Sequence, residues 1–293
     1  MSVLSQFLQA VVFGLVEGSV IAVGAVGLTL SYGVTRFINF AYGEFLSYGA
    51  FLALFVSGAG LGLSLPLPLA AVVAVVGVGV LGVGVSRLFF TPISDRGALP
   101  LLITSIGVSF VLRYVLIAGV GADARQLPVP LVRPITVAGV GATPLQLAVV
   151  AIAVVTMVGF HLLLQRTLLG KMMRATSGNR ALATVAGIDT EQIVRRTWFI
   201  SAAAGGLAGI LYGALFAPFR PTFGFGYLIV VFAATLLGGI GRPYGAMLGA
   251  LLIGLVISLG STYLSASYDQ AYAFLVLVGV LLLRPEGIRG GEF

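Results

Sequence analysis

Nine apolar runs divide this chain, at residues 7–30, 44–60, 66–90, 99–120, 143–164, 196–217, 226–241, 244–262 and 270–284. A helix needs roughly 20 residues to cross the roughly 30 Å of hydrocarbon in a bilayer, so runs of this length predict membrane spans. The seventh run is short, and a polar break at 35–43 precedes the second. Only two hydrophilic segments have any length, 121–142 and 166–196. Neither could form an enzyme domain of its own. The pattern therefore predicts an all-α, polytopic bundle of eight or nine helices, one membrane domain over residues 1–293, with a structured loop at about 166–196.

Composition agrees. The chain is 59% hydrophobic and 9% charged, with a mean hydropathy of +1.13, whereas soluble domains carry about 25% charged residues. The net charge of +7 is not a nucleic-acid signal, because its carriers gather at span ends. Arg36, Arg87, Arg96, the basic residues of 166–196, Arg242, Arg284 and Arg289 all fall on one side if there are nine spans. The positive-inside bias then puts the N-terminus outside and the C-terminus inside the cytoplasmic membrane. The opposite side holds the uncharged 58–65 turn and Asp269, with Arg125 and Arg133 against Asp123 in 121–142 as the exception. If 226–241 only dips into the membrane, the count is eight and the C-terminal charges fall on the wrong side. MSVLSQ carries no Lys or Arg ahead of the first run, which reads as a retained span and not a signal peptide.

Several chemistries are excluded. There is no cysteine and one histidine, His161, so thiolate and His-rich metal centres are ruled out. Lys171 follows Gly170 but precedes Met172, so no phosphate-binding loop is present. The glycines of GVGVLG, Gly77–Gly82, sit inside an apolar run and read as helix packing, not as a dinucleotide fingerprint. Uphill transport by such a chain would need ion coupling or a separate ATPase.

The 166–196 loop, with GKMMRATSGNRALATVAGIDTEQIVRR at its centre, combines Arg166, Lys171, Arg174, Arg180, Arg195 and Arg196 with helix-ending signals. Ser177 and Asn179 are good N-caps for a short helix, Arg180–Ala186, which Gly187 can end in the left-handed conformation. Asp189 with Gln192 three later resembles a capping box that starts the next helix through Arg195 and Arg196. The loop is either a stiff docking element or an ordinary positive-inside loop with ordinary caps.

Polar residues inside the apolar runs are few: Glu17, Asn39, Glu44, Arg113, and His161 near a span end. Such residues are expensive in lipid and are candidates for function. Glu17, flanked by Gly14 and Gly18, could meet a substrate ammonium or pair with Arg113 as structural glue. Asn39 and Glu44 bracket FAYG, which ends at Gly43. A broken helix there would offer free backbone groups at membrane depth; the alternative is an interfacial turn beside Arg36. Gly238, Gly239, Gly241 and Gly245 with Pro243 form a second break, and two breaks in corresponding halves hint at an inverted repeat. His161 reads as an interfacial anchor. The GxxxG pairs Gly205/Gly209 and Gly245/Gly249 allow close helix contact, within the chain or across a dimer.

Four segments in order carry a resemblance: GLTLSYGVTRFINFAYGEFLSYGA, GKMMRATSGNRALATVAGID, LLGGIGRPYGAMLGALLIG and LVLVGVLLLRPEGIRG. They are similar to the branched-chain amino acid (Liv-type) permease family of ABC importers, with Tyr42 where that family commonly has His. The resemblance implies a type II importer-like permease, itself not an enzyme, in a pore made with a second, related permease subunit. It implies two cytoplasmic ATPases that bind the ATP and Mg, so no cofactor in this chain, and an external binding protein that delivers the amino acid. It further implies that the short helix couples to the ATPase, with Arg174, Arg180, Ala181, Gly187, Ile188 and Asp189 at the contact; the polar groups and helix breaks themselves make Glu17, Asn39, Gly43, Glu44, Gly239 and Gly241 the candidates to border the substrate path. Urea permeases of the same type, an ion-coupled carrier using Glu17 and Glu44, and a passive channel are the other readings.

Overall fold

The computed structural model describes residues 3–59, 65–130, 132–137 and 140–283, and within them every apolar run lies on a helix. The first five helices are α1 (Val3–Thr35), α2 (Tyr42–Leu54), α3 (Leu67–Val85), α4 (Ala98–Val120) and α5 (Pro144–Arg166). Wider turns carry α2 on through Phe55–Ala59 and α3 on through Ser86–Phe90, and tighter turns carry α3 further through Thr91–Arg96. Then come α6 (Leu168–Gly178), α7 (Arg180–Val185), α8 (Thr190–Leu215), α9 (Phe223–Gly238), α10 (Pro243–Gly260) and α11 (Asp269–Leu283). Among the described residues, six helical stretches are long and apolar enough to cross a membrane; one of them, Pro243–Val280, comprises α10 and most of α11. α9 is apolar but shorter, and α2 has 13 residues. Arg284 and Arg289 lie outside the described residues, as does most of the 58–65 turn.

Two elements depart from the sequence reading. Residues 168–178 form a helix of their own, α6, started by the Thr167 hydroxyl, which accepts from the Gly170 N–H at 3.1 Å. Within 121–142 a small antiparallel hairpin pairs β1 (Ile135–Val137) with β2 (Val140–Ala142). The next helix, α5, opens on a full capping box between Thr143 and Gln146.

α1 is the central helix: 72% of its most apolar window is buried, against 22% for α5. It packs on α10, α8, α5 and α9. In lipid, apolar side chains gain nothing from leaving the solvent, so helices associate through close packing of small residues. A Cβ on Gly14 or Gly18 would meet the Leu255 or Leu251 Cα at 2.8 or 2.9 Å, and one on Gly254 would collide with the Gly18 backbone. The GxxxG pairs work inside the chain: Gly209 sits against the Leu46 backbone of α2, and Gly245 and Gly249 sit against Gly238 and Ala234 of α9. In GVGVLG, Gly79 faces the Phe199 ring and Gly82 faces Ala202, so that segment is a packing surface on α8. Around Trp198 the aromatic core closes, with Phe90 stacked at 5.0 Å and Phe45 edge-on at 6.5 Å. α4 and α5 turn Ile103, Val111, Val115, Val154 and Val155 outward.

The two ends of α1 are tied to different hydrophilic segments. Near its start, Gln9 donates to the Gly141 carbonyl and accepts from the Gly141 N–H, both at 2.8 Å. Past its end, Arg36 donates to the Ser177 carbonyl, and the Ser177 hydroxyl donates to the Gly33 carbonyl at 2.7 Å. The 121–142 and 166–196 segments therefore lie at opposite ends of the bundle.

Gly209→Val should cost about 1–3 kcal/mol, as overpacking typically does, and lower the midpoint of thermal unfolding in detergent. Gly159→Val on α5, where a new Cβ meets nothing within 4 Å, should leave that midpoint unchanged.

Candidate functional site

Between Thr35 and Tyr42 the main chain leaves helical geometry. Arg36 takes a positive φ of 58°, and Asn39 turns back on itself, its side-chain oxygen accepting from the Ala41 N–H at 3.0 Å. The side-chain N–H2 of Asn39, 2% exposed, has no partner. Ser105 of α4 holds the segment by accepting from the Phe40 N–H at 3.1 Å. Beyond it, α2 is anchored by the Tyr42 hydroxyl, which donates to the Gly24 carbonyl at 2.8 Å. The Ser47 hydroxyl accepts from the Gly224 N–H at 3.1 Å, where Gly43 meets the α9 backbone.

Asn39 stands between two cavities. One, of about 270 Å³, is walled by Ile38, Phe40, Phe225, Leu228, Ile229, Phe232 and Phe274, with the Asn39 amide as its polar group. The other, of about 10 Å³, has room for roughly one water. It collects Ser31, whose hydroxyl is also buried and unpartnered, with Tyr32, Thr235 and Ile240. Ile240 belongs to the turn between α9 and α10, where Gly239 and Gly241 take φ of 98° and 83°. The two glycine-marked breaks of the sequence thus meet at Asn39, although the second is a turn between helices and not an interruption within one.

Glu44 is fully buried and walls neither cavity. One of its oxygens accepts from Arg113 Nη2 at 2.7 Å, Arg113 Nε at 3.1 Å and the Ser109 hydroxyl at 2.9 Å. Pairing of Arg113 with Glu17 is therefore corrected. Arg113 and Ser109 lie one turn apart on the face of α4 toward the first turn of α2, whereas Glu17 lies on α1 in electrostatic reach of Tyr212, Tyr227 and Asp269. The Arg113 guanidinium also stacks over Phe225 at 4.4 Å and Phe110 at 5.3 Å. Phe225 is shared with the larger cavity, so the ion pair stands one side chain behind its wall.

At the other candidate surface, Asn179 caps α7 by accepting from the Leu182 N–H at 3.0 Å. Ser177 does not cap; it lies in α6 and is spent on Gly33 and Arg36. Gly187, with φ 82°, closes α7: its N–H reaches the Thr184 carbonyl and the Ile188 N–H reaches Ala183, both at 3.0 Å. Asp189 starts α8 by accepting from the Gln192 N–H at 2.9 Å. Arg180 and Ala181 are exposed, and so are two apolar residues of α7, Leu182 at 65% and Val185 at 85%. Arg174 is turned back to the Leu164 carbonyl of α5. His161 contacts the Tyr244 hydroxyl at 2.8 Å, an exposed pair away from both cavities. The buried hydroxyls of Ser31, Ser109 and Tyr227 escape a search for charged and amide groups; the four-residue spacing of Ser109 and Arg113 was the one signal available.

Residues 10–283 match the family described as "Branched-chain amino acid transport system / permease component". The chain is 30% identical over 295 residues to the high-affinity branched-chain amino acid transport system permease protein LivH of Salmonella typhimurium, covering 97% of this chain and 96% of that one. It is 32% identical over 296 residues, with the same coverage, to permease protein BraD of Pseudomonas aeruginosa. Among solved structures, a chain of PsaBC from Streptococcus pneumoniae in complex with Fab is similar with a TM-score of 0.52 and 13% identity, over 96% of this chain and 92% of that chain, a likeness of fold alone.

The ion pair predicts a thermodynamic asymmetry. Arg113→Met strands a buried carboxylate and should destabilise by about 3–5 kcal/mol, whereas Glu44→Leu with Arg113→Met removes both charges and should recover most of that loss. Thermal unfolding of the three proteins in one detergent checks it.

Proposed function

The chain belongs to the family of branched-chain amino acid transport system permease components, and on that footing we propose that it is the membrane-spanning subunit of an ABC importer for branched-chain amino acids. In this reading its N-terminus is outside and its C-terminus inside the cytoplasmic membrane. It forms a pore with a second, related permease, receives substrate from an external binding protein, and is driven by two cytoplasmic ATPases that hold ATP and Mg.

The observation that carries the reading is the cavity of about 270 Å³ at the helix break. Its wall of Phe, Leu and Ile suits an aliphatic side chain, and the free amide N–H2 of Asn39 supplies a donor for a carboxylate or carbonyl oxygen. Asn39, Gly239 and Gly241 would border the path; Gly43 and Glu44 would fix the position of α2 behind it. The driving contact would be α7, whose Leu182 and Val185 are exposed apolar residues on a capped, rigid turn. Its loop is bonded through Ser177 to Gly33 and Arg36, immediately before the break. A push on α7 would thus be delivered to the segment that borders the cavity. An ion-coupled carrier using Glu17 and Glu44 would need both acids free, and Glu44 is already committed to Arg113, which leaves Glu17 alone.

Co-purification and ATP-driven leucine uptake in proteoliposomes test the proposal with two variants. Leu182→Glu should lose the ATPase during purification and reduce uptake at least tenfold. Ile229→Trp, which fills the cavity, should keep the ATPase and reduce uptake by a similar factor. Uptake that proceeds without ATP, or normal uptake by both variants, would overturn it.

A further inference from the structure

Giving Arg113 to Glu44 leaves Glu17 without a cation. Among the described residues Glu17 makes no hydrogen bond and no ion pair. An unpaired carboxylate within an apolar span is costly and is retained where it serves a function. Glu17 is also held in place: Gly14 and Gly18, on either side of it, fit so tightly against Leu255 and Leu251 that α1 has no freedom to rotate it away.

Glu17 lies seven residues before Gly24, two turns back along the same face of α1, so the register of the neighbouring helices shows what stands beside that face. Gly24 of α1 packs against Val231 of α9 and Ala208 of α8. One turn nearer the start of α1, those helices present Tyr227 and Tyr212, whose rings lie 4.5 Å apart. Tyr212 also stacks on Phe223 at 4.7 Å, with an interplanar angle of 6°. Both tyrosines are in electrostatic reach of Glu17, and so is Asp269 at the start of α11. The Tyr227 side chain is 7% exposed, and its hydroxyl has no hydrogen-bond partner. Asp269 accepts from the Ser261 hydroxyl and is in no ion pair among the described residues. The ensemble is a carboxylate, a second carboxylate nearby, an unused buried phenol oxygen and a wall of aromatic rings, with net negative charge.

We propose that Glu17, Tyr212 and Tyr227 form a receiving site for the primary ammonium group of the transported amino acid, on the side of the bundle where Gln9 meets Gly141. Glu17 supplies the counter-charge and the Tyr227 oxygen accepts one N–H, while Tyr212, packed between Phe223, Phe216 and Tyr227, forms the aromatic wall behind them. Asp269 adds negative potential without contact. The aromatic wall selects an organic ammonium over a small metal ion, which would demand several oxygen ligands at close range. This site lies on a different face of α9 from Phe225 and Phe232, which wall the larger cavity. An α-helix about 10 Å across separates the two sites, so one amino acid would occupy them in succession: its ammonium is received at Glu17 first, and its aliphatic side chain enters the Asn39 cavity afterwards. Only the identity of the ammonium rests on the importer reading.

The test is saturation-transfer NMR on the full chain in nanodiscs with three probes: L-leucine, isoamylamine, which keeps the ammonium, and 4-methylpentanoate, which keeps the carboxylate. Leucine and isoamylamine should bind, and Glu17→Gln should weaken isoamylamine at least tenfold. Tyr227→Phe, which removes only an unpartnered hydroxyl and leaves the core filled, should weaken it severalfold. 4-Methylpentanoate should be indifferent to both variants. Isoamylamine binding unchanged in both variants would overturn the proposal, as would its displacement by sodium but not by choline at equal ionic strength. Because no ATP or partner is involved, failure of the importer reading would appear separately, as uptake that does not need ATP.

Discussion

Backbone-to-backbone approach is the constraint on which this bundle depends. With lipid outside, burying a leucine gains little, and contact must come from surfaces that fit closely. Gly14, Gly18 and Gly254 let α1 and α10 touch main chain to main chain; Gly209 does the same for α8 against α2, and Gly238 with Gly245 for α9 against α10. These seams set the depth and rotation of each helix. Some of the polar groups described above take their position from such a seam. Gly43, for example, brings α2 onto α9, which is what seats Ser47 on the Gly224 N–H and carries Glu44 to Arg113.

The spans were legible in the sequence because hydrocarbon thickness imposes a length and backbone hydrogen bonding imposes helix. The loop was largely legible too, since Asn179, Gly187 and Asp189 act through their own neighbours in the chain. What was not legible was partnership across helices. Arg113 had two acids to choose between, and the choice of Glu44 follows from which face of α4 turns to α2, a matter of packing among segments 69 residues apart. The helix α6 was missed because its start depends on Thr167 and its burial on contact with α1 and α8, while its sequence reads as polar loop. Asn39 was visible as a polar residue at a break; that its amide lies between two cavities could be seen only with α9 and α10 in place.

In the proposed importer the break after α1 would link recognition to drive. A continuous helix from Val3 through Leu54 would have passed any displacement rigidly from one face to the other. Interrupting it at Arg36–Ala41 frees Asn39 from helical hydrogen bonding and leaves a short extended segment. That segment is bonded to the loop on one side through Gly33 and Arg36, and to α4 on the other through Phe40 and Ser105. Movement of α6 and α7 would reach Asn39 with few intermediates, while the Glu44–Arg113 pair ties α2 to α4.

The bond from Ser258 to the Ala10 carbonyl joins residues 248 apart in the chain. α1 leaves the ribosome well before α10, the helix that covers its glycine face. At about 5–20 residues per second, the interval between them is roughly 12–50 s. For that time α1 stands in lipid with Gly14, Gly18 and a lone carboxylate uncovered. Correct biogenesis therefore depends on something sheltering the first helix, within the insertion machinery or against transient neighbours, until the tenth arrives to take its place.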